Sequence, residues 1–327
     1  MIAAWILYCT GIGLLFACAA HFADGLIGRA AGQTRRVWAA GLLGATVLPV
    51  LAVVLRDAPP GVEVEGVLVP TTATSGIVMD FVVSLATLDA LLGISWILLS
   101  SALGLRFLGG WLLTHRSRRA WRPATVDGVP VLVSDRVGPA TVGFVRSRIV
   151  LPRWALAAAP AERSMIVRHE QEHVASGDPR LVALAALVGV VMPWNPATWY
   201  MARRLRLAVE VDCDRRVMRS GDLDVRSYAE LLLAVGARRA SPAYGIGFSV
   251  GRPFLEQRID RMTSARGGAS RAQAAIAVGV IAIALASAWG MPQPIRAADV
   301  SSEVVICPDT GTTDLNRALL EGAARST

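Results

Sequence analysis

His169 and His173, two of the four histidines in the chain, stand four positions apart in Arg168-His169-Glu170-Gln171-Glu172-His173. On an α-helix that spacing stacks both imidazoles on one face, where both can reach a single metal ion. Zinc suits imidazole nitrogen and brings the pKa of a water it holds towards neutrality. Glu170, beside the first histidine, is the residue type that takes a proton from such a water. The pattern H-E-x-x-H therefore predicts metal-assisted peptide hydrolysis with Glu170 as general base. Glu172 falls on a different face and is expected to be solvated surface.

A hydrolytic zinc needs three protein ligands and one open position. Glu210, 37 positions after His173 and on a separate predicted helix (197–220), is the favoured third ligand. Asp214 lies one turn further along the same face, placed to accept a hydrogen bond from the free N–H of a ligand histidine. Cys213 competes for the ligand role because thiolate binds zinc well. Asp212 points away from Glu210, and plain ion pairing of the acidic cluster with Arg203, Arg206 and Arg215 stands as the other reading. Tyr228 carries a hydroxyl able to stabilise the oxyanion of a tetrahedral intermediate, the alternative being an aromatic at the edge of the core. Asp178 is expected to organise the turn after the motif rather than to bind metal.

The chain that must position these residues is apolar: 327 residues, 54% hydrophobic, with a mean hydropathy of +0.48. The net charge is +8, and all 33 basic residues are arginine. These arginines flank apolar runs, as the positive-inside rule requires, and no nucleic-acid-binding motif accompanies them. Direct nucleic-acid binding is thus disfavoured. Cys9, Cys18, Cys213 and Cys307 are too scattered for a disulfide framework or a four-thiolate site.

Apolar runs at about 2–20, 37–55 and 88–113 predict three transmembrane helices in a membrane region, 1–113, and a fourth is predicted at 273–292. The first lacks a basic n-region and reads as a retained helix rather than a cleaved signal. Pro49 in the second is tolerable because membrane helices accept proline. Loops 23–36 and 114–272 are basic, whereas 56–85 and the tail 293–327 are acidic. That alternation places both termini outside and residues 114–272 in the cytoplasm.

Within 114–272, Val129–Val133 and Ser147–Pro152 read as strands, with 138–143 as a turn between them. A helix from Pro160 to Ser176 carries the zinc motif and stops at Gly177-Asp178-Pro179. Leu181–Met192 is too short to span and reads as a buried or interfacial helix. Pro193-Trp194-Asn195-Pro196 breaks it, and Trp194, Trp199 and Tyr200 fit either a membrane-surface belt or a packed core. The fold class is α+β.

Together these stretches resemble the integral-membrane zinc metallopeptidases of the M56 family, typified by the β-lactam-response sensors BlaR and MecR. The matching pieces are Val129–Asp135, Pro139–Gly143, Ile149–Pro152, the H-E-x-x-H at 169–173, Trp194-Asn195-Pro196, Glu210-x-x-Cys213-Asp214 and Tyr228-Ala229-Glu230. They cover about residues 125–235. The resemblance implies a gluzincin-like zinc-protease domain inserted among four transmembrane helices of a bacterial inner membrane. It implies zinc held by His169, His173 and Glu210, with Glu170 as base. It also implies a signalling role in which a cytoplasmic regulator, such as a BlaI-like DNA-binding repressor, and the protease itself are cut; a homo-oligomer is compatible with it. The family's penicillin-binding domain, with its S-x-x-K serine, is not matched: only 293–327 follow the last span, and the sequence has no lysine. A rival reading is a non-proteolytic membrane signalling or scaffold protein with a structural zinc site, which would not need Glu170. A metal site within the bilayer is argued against by Glu162, Arg163 and Arg168.

Overall fold

The computed structural model describes residues 2–27, 34–55, 75–135, 137–144, 146–219, 224–238, 252–263 and 270–290. The acidic loop from 56 to 74 and the tail 293–327, with Cys307, lie outside them. The described part is mostly helical and carries one small mixed sheet, as an α+β chain should.

The first three helices are α1 (Ile2–Ile27), α2 (Thr34–Leu55) and α3 (Ser75–Ser117). Each carries a stretch long and apolar enough to cross a membrane: Ile2–Leu26, Thr34–Ala52 and Ala86–Ala120, the last running on through a 3-10 turn, Arg118–Ala120, that follows α3. All three helices exceed the expected runs. At the end of α1 the reason is visible, because Asp24 is buried against Arg204 (2.8 Å) and Arg261 (3.6 Å), so a charge that would end an apolar run instead has partners. Residues 75–85, expected as loop, begin α3.

The sheet follows, in strand order β1-β2-β4-β3. Strands β1 (Arg122–Val126) and β2 (Val129–Ser134) form an antiparallel hairpin. Asp127 and Gly128 turn it with φ of 50° and 81°, the left-handed pair that a two-residue hairpin favours. β3 (Ala140–Val142) and β4 (Arg148–Pro152) pair antiparallel, and β4 runs parallel to β2. The expectation of a plain turn at 138–143 is thereby corrected, because Ala140–Val142 is an edge strand. Gly138 permits it: with φ of +111°, a Cβ there would come within 2.6 Å of the Val150 carbonyl oxygen.

A short helix, α4 (Arg153–Leu156), leads to α5 (Pro160–Ala175) and α6 (Asp178–Val191), which meet at a 62° bend. Gly177, at φ +67°, makes that bend as the glycine past a helix end. By length and composition the bent pair could count as one broken span. The packing of α5 on β3 and β4 favours a helix of the sheet layer instead. Then come α7 (Pro196–Arg219), α8 (Val225–Arg238), α9 (Arg252–Thr263) and α10 (Arg271–Gly290). α10 packs along α1, and its apolar stretch, Ala275–Gly290, is shorter than the three spans.

Two cores result. One joins α1, α2 and α6 to the first half of α7, around Ile12, Phe16, Trp38, Leu42, Met201 and Leu205. The other joins the sheet, α5, α8 and α9 to the second half of α7, around Leu151, Val167, Val217 and Tyr228. The aromatics after α6 serve as joints between helices. Trp194 meets Trp96 of α3 edge-on at 5.6 Å, and Tyr200 packs on Trp38 at 5.7 Å.

Asn195 locks α7 to α1. Its Oδ1 accepts from the Ala197 amide (3.0 Å), capping α7, and its Nδ2 donates to the Cys9 carbonyl (3.1 Å). Gly13 leaves room for it, since a Cβ there would come 2.9 Å from Nδ2. Asn195→Ala removes the cap and the side-chain bond to the α1 backbone. It is expected to destabilise the protein by about 1–3 kcal/mol, read as a shifted denaturant midpoint in detergent.

Candidate metal centre

Helix α5 begins with Pro160 in its first turn, where the missing N–H costs nothing, and carries Glu162 there against the positive end of the dipole. Its buried face is Ile166, Val167, His169, Glu170 and His173, one helical stripe turned towards the sheet and α7. The motif pattern thus coincides with the packing pattern.

The two Nε2 atoms face each other at 3.2 Å. Two nitrogens bound tetrahedrally to one zinc at its usual bond length stand about 3.3 Å apart, so this separation fits. Glu210, on the facing side of α7, presents Oε2 at 3.7 Å from Nε2 of His169 and Oε1 at 3.8 Å from Nε2 of His173. The structure therefore brings His169, His173 and Glu210 around one point. Glu170 is buried beside them, with Oε2 accepting a hydrogen bond from Thr141 Oγ1 of β3 at 3.0 Å.

The other imidazole nitrogens are both occupied. Nδ1 of His173 meets Oδ2 of Asp178 at 2.9 Å. Nδ1 of His169 meets the Tyr228 hydroxyl at 2.9 Å, and that hydroxyl donates onward to Asp214 Oδ1 at 2.9 Å. With Nδ1–H so engaged, each ring turns its Nε2 lone pair into the site. Asp214 does serve His169, but through Tyr228; its direct approach to Nδ1 is 3.6 Å. Tyr228 stands behind the His169 ring, away from Nε2, which is not the position of an oxyanion donor. Asp178 does more than shape a turn.

Cys213 is fully buried, with its Sγ 3.5 Å from His169 Nδ1 and 3.4 Å from the His169 carbonyl oxygen. Donor atoms of His169, His173 and Cys213 all lie within 4.8 Å of one another, a second candidate set. Cys213 reaches His169 at the nitrogen already bonded to Tyr228 and also bears on His173, whereas Glu210 approaches the Nε2 atoms of both histidines.

Arg258 of α9 completes the charge balance. It grips Asp214 through Nε (2.9 Å) and Nη2 (2.7 Å) and reaches Glu210 Oε2 through Nη1 (2.9 Å). Sequence reasoning missed it because an arginine 48 positions beyond Glu210 reads as one of several basic residues before a span. Thr141 was missed with β3. Burial opposes the Glu210 carboxylate, but Arg258 and the two histidines outweigh it and hold its pKa well below the usual range. Burial likewise opposes a charged His169, yet Cys213 and Glu210 push its pKa up to about 10.

Comparison with known proteins points to one family. Residues 127–261 match the family model described as BlaR1 peptidase M56. Over 125 residues the chain is 26% identical to the Regulatory protein BlaR1 of Bacillus licheniformis, a stretch covering 37% of this chain. The match spans about a fifth (21%) of the length of that relative. Both findings support an M56-family protein, as the sequence motifs indicated. The matched segment runs from the β1–β2 turn to α9 and holds every site residue described above.

Two predictions follow from the geometry. Tyr228→Phe leaves Nδ1 of His169 without its acceptor and should weaken zinc affinity by about 10- to 100-fold. An oxyanion donor at this position would instead leave zinc affinity intact and lower kcat by about 10²–10³. Zinc competes with protons for histidines whose neutral form is the ligand, and the Cys213 and Glu210 side chains push the His169 pKa up to about 10. Zinc affinity should therefore rise with pH from neutrality towards about 10, with net proton release measurable by calorimetry in buffers of different ionisation enthalpy.

Proposed function

We propose that this chain is a membrane-anchored, zinc-dependent endopeptidase of the BlaR1 type, with a gluzincin-like domain on the cytoplasmic side. The observation that carries the reading is the convergence of two Nε2 atoms and the Glu210 carboxylate on one point beside Glu170, with both Nδ1 atoms tied back. Zinc, when bound, would supply Lewis-acid polarisation of the scissile carbonyl and a water acidified towards neutrality.

The chain's own residues do the rest. His169, His173 and Glu210 would hold the ion. Glu170, steadied by Thr141, takes the proton of the attacking water and passes it to the leaving amine. Tyr228, Asp214 and Arg258 keep the His169 ring and the Glu210 carboxylate in place, and Asp178 does the same for His173.

The alternation of basic and acidic segments supports four spans, with α10 as the fourth, both termini outside and the site in the cytoplasm. The similarity to a regulatory protein, BlaR1, supports a signalling protease. Its substrate class would be a cytoplasmic regulator, such as a DNA-binding repressor, and a segment of the protease itself.

A second reading rests on Cys213. Were its thiolate to join both histidines and Glu210, the site would be closed by four ligands, the pattern of a structural zinc. The two separate cleanly. In the catalytic reading, Glu170→Gln retains one zinc per chain while cleavage falls by about 10²–10⁴. Glu210→Ala loses the metal, and Cys213→Ser keeps both metal and cleavage. Zinc content and self-cleavage or repressor cleavage in membranes are the readouts. Loss of zinc in Cys213→Ser with no cleavage by wild type would favour the structural reading.

A further inference from the structure

His173 owes its orientation to Asp178, so what holds Asp178 matters as much. Asp178 is buried, with a side chain 2% exposed. Its Oδ2 serves His173 Nδ1 at 2.9 Å and also accepts from Arg216 Nη2 at 3.1 Å. Its other oxygen, Oδ1, is ion-paired with Arg35 Nη1. Arg35 belongs to the first turn of α2, a membrane helix distant in sequence and outside the 127–261 match.

The backbone of the same residue is held from the opposite side. The Arg35 amide donates to Asp212 Oδ2 at 3.2 Å, and Thr34 Oγ1 donates to Asp212 Oδ1 at 3.3 Å. Asp212 is fully buried and lies on α7, two positions after Glu210. Its carboxylate thus caps the start of α2, satisfying an amide that the helix itself cannot and meeting the positive end of its dipole. One residue of α2 is therefore clamped between the helix that carries Glu210 and the carboxylate that aims His173.

We propose that Arg35 is a positioning residue of the metal centre, fixing Asp178 against His173 so that the inner end of membrane helix α2 sets the affinity of the site for zinc. The inference rests on the reading of His173 as a zinc ligand. A carboxylate accepting from a ligand histidine aligns the ring and raises its basicity; it does so best when its own second oxygen is anchored. A displacement or rotation at the inner end of α2 would then be felt at the ligand directly, through two side chains, without passing through the sheet.

The test uses the full chain in detergent or nanodiscs, with zinc dissociation constants measured by chelator competition. Asp178→Asn is expected to weaken zinc binding by about 10- to 100-fold and Arg35→Gln by about tenfold. Arg35→Lys, which keeps the charge and the helix, should fall between Arg35→Gln and wild type. Because Arg35 acts through Asp178, Arg35→Gln in the Asp178→Asn background should cost nothing further, whereas independent structural effects would multiply. Arg153→Gln, removing an exposed pair with Asp135, serves as a control with unchanged affinity. If wild type binds zinc tightly and Arg35→Gln is within about twofold of it, the proposal is overturned while the zinc site stands. Multiplying losses in the double variant overturn it in the same way. If wild type binds no zinc, the metal-centre reading fails and this inference goes with it.

Discussion

Buried charge has to be answered by buried charge, and in this protein that requirement reaches from the candidate metal centre to the membrane helices. His169, His173, Asp178, Asp214 and Arg258 are all withdrawn from water, and Glu210 is largely so. An unpaired ion in such a place costs several kcal/mol, so each must be matched by geometry rather than by solvent. Arg258 answers two carboxylates at once, Arg216 and Arg35 answer a third, and the histidines stand between. Much of the architecture is what it takes to deliver these partners. α9 returns from beyond α8 to bring Arg258, and α2 begins where Arg35 can reach Asp178.

Helix α7 is the member through which these demands are reconciled. At 24 residues it is about 36 Å long, enough to run from the core of the membrane helices to the site. Its first half is gripped by α1 and α2, with Asn195 capping it and bonding the α1 backbone. Its second half supplies Glu210, Asp212, Cys213 and Asp214. Segment 114–272 contributes residues to both cores, and α7, which carries Glu210, Cys213 and Asp214, reaches both. α1 is wired in as well, since Asp24 pairs with Arg204 of α7 and with Arg261, one turn along α9 from Arg258.

The site and the scaffold were legible in the sequence to different degrees, for reasons of range. The zinc motif and the end of α5 at Gly177 depend on spacings within one or two turns, which a helix converts directly into positions in space. The strand Ala140–Val142 was hidden because Gly138, Pro139 and Gly143 look like turn residues, and only pairing with β4 makes an edge strand of the three between. Tyr228 and Asp178 were visible as residue types, but their roles were not. Both act on Nδ1, and which nitrogen of a histidine faces the site is set by what packs behind the ring.

What the sequence determined by itself was the chemistry available: two imidazoles and a neighbouring carboxylate on one helical stripe, a third ligand candidate on another, and apolar runs flanked by arginine. Those follow from local periodicity and composition, which survive whatever the chain does elsewhere. Only the tertiary structure decided which groups hold the ligands in place. Glu210 approaches both Nε2 atoms and Cys213 lies beside both histidines, Tyr228 meets His169 at Nδ1, and Arg258 and Arg35 close the charge balance. Pairings across such distances in sequence carry no period. They are selected because a buried charge must find its counterpart, and the fold alone determines which counterpart is within reach.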